Sequence, residues 1–192
     1  MFKFKGSKSA IGLAALSLLV VFTPTASAGK PIPTLNGAIC KAWGGTWDSG
    51  KLTYCTVGPN AFLATLDSIV IKEKTTLILD KNVDLVGFMQ NSGTVFNRAI
   101  LRNFGTISNE GALSVVFNSG TITNNGNFFL YGDGVNAGTT LQNVGTFENY
   151  GTFSHRAAGY NFTNSGVIYN YGFFATCINN NLGGILEGVY AC

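Results

Sequence analysis

Four cysteines, a single histidine and nine acids are the residues of this chain with the most reactive side chains. Cys40 and Cys55 are 15 residues apart, as are Cys177 and Cys192, and the two pairs lie toward opposite ends. Two short local loops of this kind predict the disulfides Cys40–Cys55 and Cys177–Cys192 in an oxidising compartment. Each would contribute about 3 kcal/mol by restricting the unfolded chain. No C-x-x-C spacing occurs, so neither a cysteine zinc site nor another metal or cofactor is expected. His155 stands in Ser154-His-Arg-Ala-Ala-Gly159 and reads as an exposed loop imidazole rather than a general base. Glu110, Asp133, Glu148 and Glu187 are the acids beyond residue 90, too scattered in sequence to predict a catalytic set. Asp133-Gly-Val-Asn136-Ala-Gly138 supplies one carboxylate where calcium takes roughly six to eight oxygens, so it reads as an insertion loop. Asn161-Phe-Thr163 is an N-x-[ST] sequon and makes Asn161 a candidate glycosylation site.

The tyrosines are the candidates for binding. Tyr150 and Tyr171 both stand in Asn-Tyr-Gly, which predicts an outward ladder with Tyr160 and Tyr169 nearby. Such a ladder could stack on sugar rings or simply pack the turns, and the sequence leaves both readings open. Phe147, Phe153, Phe162, Phe173 and Phe174 are expected to stack in a core.

The elements that must carry these residues follow from a repeat. Asn91, Asn97, Asn103 and Asn109 are six apart, in N-S-G-T-V-F, N-R-A-I-L-R, N-F-G-T-I-S and N-E-G-A-L-S. Pairs recur at Asn118 and Asn124, Asn143 and Asn149, and Asn164 and Asn170, with a weaker copy at Asn181-Leu-Gly-Gly-Ile185. Starts at 91, 103, 118, 143 and 164 give a mean advance of about 18 residues, or three six-residue sides. One apolar residue in six fits neither a helix nor a two-residue hairpin. It fits a short strand, a corner and another short strand.

Gly93, Gly105, Gly120, Gly145 and Gly166 are expected to supply a positive φ at the corners. Val95, Leu101, Ile107, Leu113, Ile122, Phe128, Phe147, Phe153, Ile168 and Phe174 are expected to point inward. Stacked coils would pair in parallel, with the Asn side chains forming a ladder. The predicted fold is all-β, a single-stranded parallel β-helix or β-solenoid, with a right-handed coil favoured. Ser68–Ile71, Thr76–Leu79 and Val83–Val86 read as its first strands. Cys40 to Cys55 reads as a hairpin turning at Asp48-Ser49-Gly50, a cap over an otherwise open edge.

Lys3, Lys5 and Lys8 precede an apolar-to-small run from Ala10 to Phe22 and then Ala26-Ser27-Ala28. This is the pattern of a secretory signal peptide cleaved after Ala28, and the run is too short to span a bilayer. The expected organisation is a signal at 1–28, an N-terminal segment and hairpin cap at 29–60, a solenoid at 61–176 and a C-terminal disulfide cap at 177–192. Removing the leader would leave nine basic and nine acidic groups, so the formal charge of +3 belongs to the leader. A neutral chain with scattered cations predicts neither nucleic-acid binding nor attraction to anionic membranes. With 46% hydrophobic and 11% charged residues it is too apolar for disorder. The 25 Gly and 20 Asn are what Asn-x-Gly corners require.

Asn103-Phe-Gly-Thr-Ile-Ser-Asn-Glu-Gly111, Asn118-Ser-Gly-Thr-Ile-Thr-Asn-Asn-Gly126 and Asn143-Val-Gly-Thr-Phe-Glu-Asn-Tyr-Gly151 resemble the repeats of secreted microbial β-solenoids of the filamentous-haemagglutinin-like adhesin style. The resemblance covers about residues 61–188. It implies a secreted or cell-surface structural or adhesive protein that binds through an extended face without catalysis. Surface glycans or other envelope proteins are the implied partners, with self-association through the ends a further possibility. The alternative is a carbohydrate-active β-helix enzyme, a polysaccharide lyase or hydrolase, or a glycan-binding module.

Overall fold

A computed structural model describes residues 31–111, 113–131, 139–155, 160–175, 177–178 and 180–188. The predicted signal segment, the Asp133–Gly138 loop, Arg156 and Cys192 lie outside these residues, and with Cys192 the second predicted disulfide.

The chain is a parallel β-solenoid of triangular section. After α1 (Gly37–Ala42) and the hairpin β1 (Thr46–Ser49) and β2 (Thr53–Val57) come β3 (Thr65–Ile71), β4 (Thr75–Leu79) and β5 (Val83–Asn91). Each later coil adds one strand per side. The first of these is β6 (Thr94–Asn97), β7 (Ile100–Asn103) and β8 (Thr106–Glu110). Next are β9 (Val115–Asn118), β10 (Thr121–Asn124) and β11 (Asn127–Tyr131), then β12 (Thr139–Asn143), β13 (Thr146–Asn149) and β14 (Thr152–His155). The upper coils are β15 (Tyr160–Asn164), β16 (Val167–Asn170) and β17 (Phe173–Ala175), followed by β18 (Asn180–Asn181) and β19 (Ile185–Gly188). Face A stacks β2, β4, β6, β9, β12, β15 and β18, with β1 antiparallel on its lower edge. Faces B and C form one continuous sheet because β5 bends across the corner between them, pairing with β7 on face B and β8 on face C.

Side-chain alternation fills the prism. Leu77, Val95, Val116, Leu141 and Phe162 align on face A and Leu101, Ile122, Phe147 and Ile168 on face B. Face C contributes Met89, Ile107, Phe128, Phe153 and Phe174. All are buried. In the upper coils the core becomes aromatic: Phe153 lies 5.1 Å from Phe147, 5.3 Å from Phe128 and 4.7 Å from Phe174. Two expected core residues are outside it. Leu113 is 80% exposed because it falls in the connection between β8 and β9, and Phe173 is 61% exposed because it takes the outward position beside buried Phe174.

The asparagines form ladders at two corners. At the A–B corner Asn97, Asn118 and Asn143 each donate Nδ2 to the Oδ1 of the Asn one coil above, at 2.7–2.8 Å, and Asn164 continues the ladder to Asn181 at 3.1 Å. Asn103, Asn124, Asn149 and Asn170 repeat this at the B–C corner. The same amides donate to backbone carbonyls of the next coil, as from Asn124 to Thr152 at 2.9 Å. The lowest rungs sit over Leu79 and Leu85, which have no donor, so Asn97 Oδ1 and Asn103 Oδ1 are buried without a partner. At the C–A corner the ladder has one rung, Asn91 to Asn109, before Leu130 and His155 take its place.

This assignment corrects the phase of the repeat. Asn97 and Asn103, and likewise Asn118 and Asn124, bracket face B, whereas Asn91 and Asn109 belong to the third corner. The five starting points are therefore not equivalent, and a mean of 18 mixes corners. The coil advance is 18 between Asn91 and Asn109, then 21, 25 and 21 residues up the A–B ladder. The extra residues fall between the face C and face A strands, after β8, β11 and β14.

The corner glycines also work differently from expectation. Positive φ occurs at Gly44, Gly111, Gly183 and Gly188 among the described glycines, and at none of the five predicted corner positions. Their requirement is close approach. A Cβ on Gly126 would fall inside the carbonyl oxygen of Gly105 one coil below, and one on Gly145 inside that of Gly120.

The lower end is closed by a lid. Asn36 Oδ1 accepts from Ile39 N at 3.0 Å and starts α1. Cys40 on that helix joins Cys55, which occupies an inward position of β2. The hairpin turns at residues 50–52, later than the expected Asp48-Ser49-Gly50, because Asp48 and Ser49 are still paired in β1 with Tyr54 and Thr53; Cys40 itself is helical rather than part of the hairpin. Leu35 N donates to Val70 O and Val70 N to Pro33 O, which covers the edge of β3.

Two substitutions test this construction. Gly126→Ala should cost several kcal/mol, about 3 or more, whereas Gly58→Ala, with open space around its Cβ, should change stability by less than about 1 kcal/mol; urea unfolding measures both. Asn124→Asp places a carboxylate that cannot donate against Asn149 Oδ1 and Thr152 O, at a cost of roughly 3–5 kcal/mol at neutral pH. Burial raises the pKa of that carboxyl in the folded state. Below the unfolded value of about 4 only the cost of one lost donor should remain, because a neutral carboxyl donates once; the ionisation penalty should grow as pH rises above that value and level off above the folded one, read from urea midpoints across pH.

Candidate binding face

The outward residue before each B–C corner glycine projects from the prism, opposite the buried asparagine. Val86, Phe104, Asn125, Tyr150 and Tyr171 make this column, in equivalent places because Phe104 N, Asn125 N, Tyr150 N and Tyr171 N bond the carbonyls of Leu85, Asn103, Asn124 and Asn149. Tyr150 is 51% and Tyr171 64% exposed. Beside it on face B runs a second outward column, Asp84, Arg102, Thr123, Glu148, Tyr169 and Glu187.

Three of the four candidate tyrosines come together. Tyr150 and Tyr171 stack with centroids 4.9 Å apart and planes 19° apart, and Tyr169 lies parallel to Tyr171 at 6.3 Å and 10°. Glu148 and Glu187 bracket Tyr169 in its column, and Thr123 Oγ1 donates to Glu148 Oε2 at 3.1 Å. Tyr160 is elsewhere: it begins β15 on face A, packs 4.5 Å from the His155 ring and accepts from Cys177 N at 3.2 Å. The two glutamates are the residues of this face that sequence reasoning did not assemble. They stand 39 positions apart, and only the coil advances align them.

The electrostatics of the patch are those of an acidic aromatic surface. The Tyr171 phenol is raised above its usual value, first by desolvation, then by Tyr150, Glu187, Tyr169 and Glu148, all of which oppose a phenolate. Two coils and more below, Arg102 donates Nε to Asp84 Oδ1 at 2.6 Å, and this bond raises the arginine pKa. Arg98 similarly reaches Asp80 at 3.5 Å. Arg98 and Arg102 thus each have their own acid in the neighbouring coil. Glu110 ends β8 at the C–A corner and is on a different edge from Glu148.

Chemically, the patch offers phenol hydroxyls that donate and accept, carboxylates that accept, and aromatic edges. Because the Tyr150 and Tyr171 rings cover one another, a ligand lying along the face meets edges and hydroxyls before ring faces. Asn161 is exposed on face A, where Thr163 Oγ1 donates to its Oδ1 at 3.4 Å. No group of three or more metal-ligating side chains occurs among the described residues. No helix among them is long and apolar enough to cross a membrane. Family models, curated proteins and solved structures provide no match to this chain.

Alkaline ultraviolet titration tests the electrostatics of the stack. Tyr171 should ionise above the ordinary value in the native protein. Replacing Glu148 and Glu187 by Gln removes negative neighbours and should move that titration downward; an unchanged profile would show that the carboxylates do not reach Tyr171.

Proposed function

We propose that this protein is a structural and adhesive β-solenoid acting outside the cytoplasm, secreted or at a cell surface. In this reading it binds without catalysis, through the B face and the aromatic column at the B–C corner. The observation that carries the proposal is the stacked Tyr150–Tyr171 pair with Tyr169, exposed on a straight edge of a prism whose interior is filled. A filled interior leaves recognition to the outer surface. Exposed aromatics aligned along a rigid edge suit a ligand that is itself extended, such as a glycan chain or an envelope protein. The basic, apolar and small-residue pattern of the first 28 residues supports export. An oxidising compartment suits the Cys40–Cys55 bridge.

A glycan array and whole-cell binding, run with the native protein and a Tyr150→Ala/Tyr171→Ala variant, test the reading. Binding should fall about tenfold or more in the variant, with its thermal unfolding within a few degrees of the parent. Retained binding by the variant would move the contact elsewhere. Turnover on a polysaccharide panel, abolished by Asp84→Asn, would instead establish the enzymatic alternative.

A further inference from the structure

A separate feature lies on another edge, where face C turns into face A near the lid. The turn is Lys72-Glu73-Lys74, closed by Thr75 N donating to Lys72 O at 3.1 Å. Lys74 has φ 62°, and it is the one non-glycine with positive φ among the described residues. Elsewhere the same requirement is met by glycine, at Gly44, Gly111, Gly183 and Gly188. In the left-handed region a Cβ crowds the backbone, so lysine here is less stable than glycine or asparagine would be. A chain with 25 Gly and 20 Asn nevertheless has an ammonium at this corner.

The neighbours of that ammonium make a recess. Ser92 sits in the coil above, held by Ser92 N to Ile71 O at 2.8 Å, and Thr53 N donates to Lys74 O at 3.2 Å. Lys72, Glu73, Lys74 and Ser92 line an open depression of about 490 Å³. The three turn residues are exposed and Ser92 is half-buried. The charge along the chain favours an anion at this end. Residues 31–102 carry seven basic and five acidic groups, whereas residues 103–188 carry one arginine and four acids.

We propose that Lys72, Lys74 and Ser92 form a binding site for an anionic ester group, sulfate or phosphate, borne by a polysaccharide. The two ammoniums supply charge-assisted donors and the serine a hydroxyl, which together suit a tetrahedral oxyanion. Glu73 opposes the same anion and limits its affinity. The lining has no large apolar side chain to enter a bilayer and no aromatic to stack a base, which favours a polysaccharide over a membrane or a nucleic acid. The site is on a different edge from the tyrosine stack and does not depend on it.

Titration calorimetry with dextran sulfate, neutral dextran and inorganic sulfate tests the site. Dextran sulfate should bind with an affinity that falls as salt rises, neutral dextran should not bind, and inorganic sulfate should compete. Lys72→Ala/Lys74→Gly should weaken dextran sulfate binding about tenfold or more, Glu73→Gln should strengthen it about two- to threefold, and Lys41→Ala on α1 should change it less than about twofold. Lys74→Gly removes the positive-φ penalty, so its melting temperature should equal or exceed the parent's, which separates lost binding from unfolding. The proposal is overturned if the parent protein does not bind dextran sulfate, if the double variant binds like the parent, or if Lys41→Ala loses as much. Equal binding to phosphatidylglycerol vesicles, lost in the double variant, would overturn the polysaccharide assignment and place the anion in a lipid.

Discussion

The spacing between coils is the constraint on which the rest of this molecule depends. Parallel strands hold their backbones about 4.8 Å apart, and every corner must repeat at that interval. The carbonyl of one corner lies directly beneath the next, which leaves no volume for a Cβ; glycine is the consequence. A carboxamide can donate to its neighbour above and accept from the one below at the same interval, so asparagine makes a continuous ladder where a carboxylate or an aliphatic group would break it. The tyrosine stack on the outside obeys the same spacing. Its 4.9 Å ring separation is one coil, so the rings meet because of where their strands are held.

The parts of the fold that were legible in the sequence are those in which one residue type does one thing at a fixed place. Six-residue sides, parallel stacking, inward Leu, Ile and Phe, and asparagine ladders all follow from the hexad. Its phase did not, because Asn91, Asn97, Asn103 and Asn109 are evenly spaced through three different corners and nothing in that run marks where a coil begins. The glycine role was misread for a related reason: a positive φ is a local property, whereas a backbone contact with a coil some 20 residues away depends on the pitch. Leu113 copied the repeat in sequence but sits in a connection, where no strand holds it inward.

The candidate face was half visible. The shared Asn-Tyr-Gly context pointed to Tyr150 and Tyr171 as equivalents because both precede a corner glycine. Tyr160 was grouped with them by proximity in the chain, yet proximity has little meaning in a prism whose adjacent strands face different directions. Glu148, Tyr169 and Glu187 form a column through advances of 21 and 18 residues, and recovering it requires the registers of two successive coils. The recess at Lys74 was not visible at all, since a lysine in the left-handed region looks like any other lysine until the backbone is known.

The asparagine ladders have a direction. Every rung donates toward the C-terminal end and accepts from the N-terminal side, and the unmatched oxygens at Asn97 and Asn103 mark where the chain of donors begins. Each coil is therefore an interchangeable unit with the same donor above and acceptor below. The molecule can grow or shrink only in whole coils: removing residues 143–163 would bring Asn164 onto Asn118 and Asn170 onto Asn124, restoring both ladders, whereas removing a few residues within face B would misalign every rung above the cut. Length in this architecture is quantised, and the unlike C–A connections, which carry no continuous ladder, are where residues can be added without leaving that count.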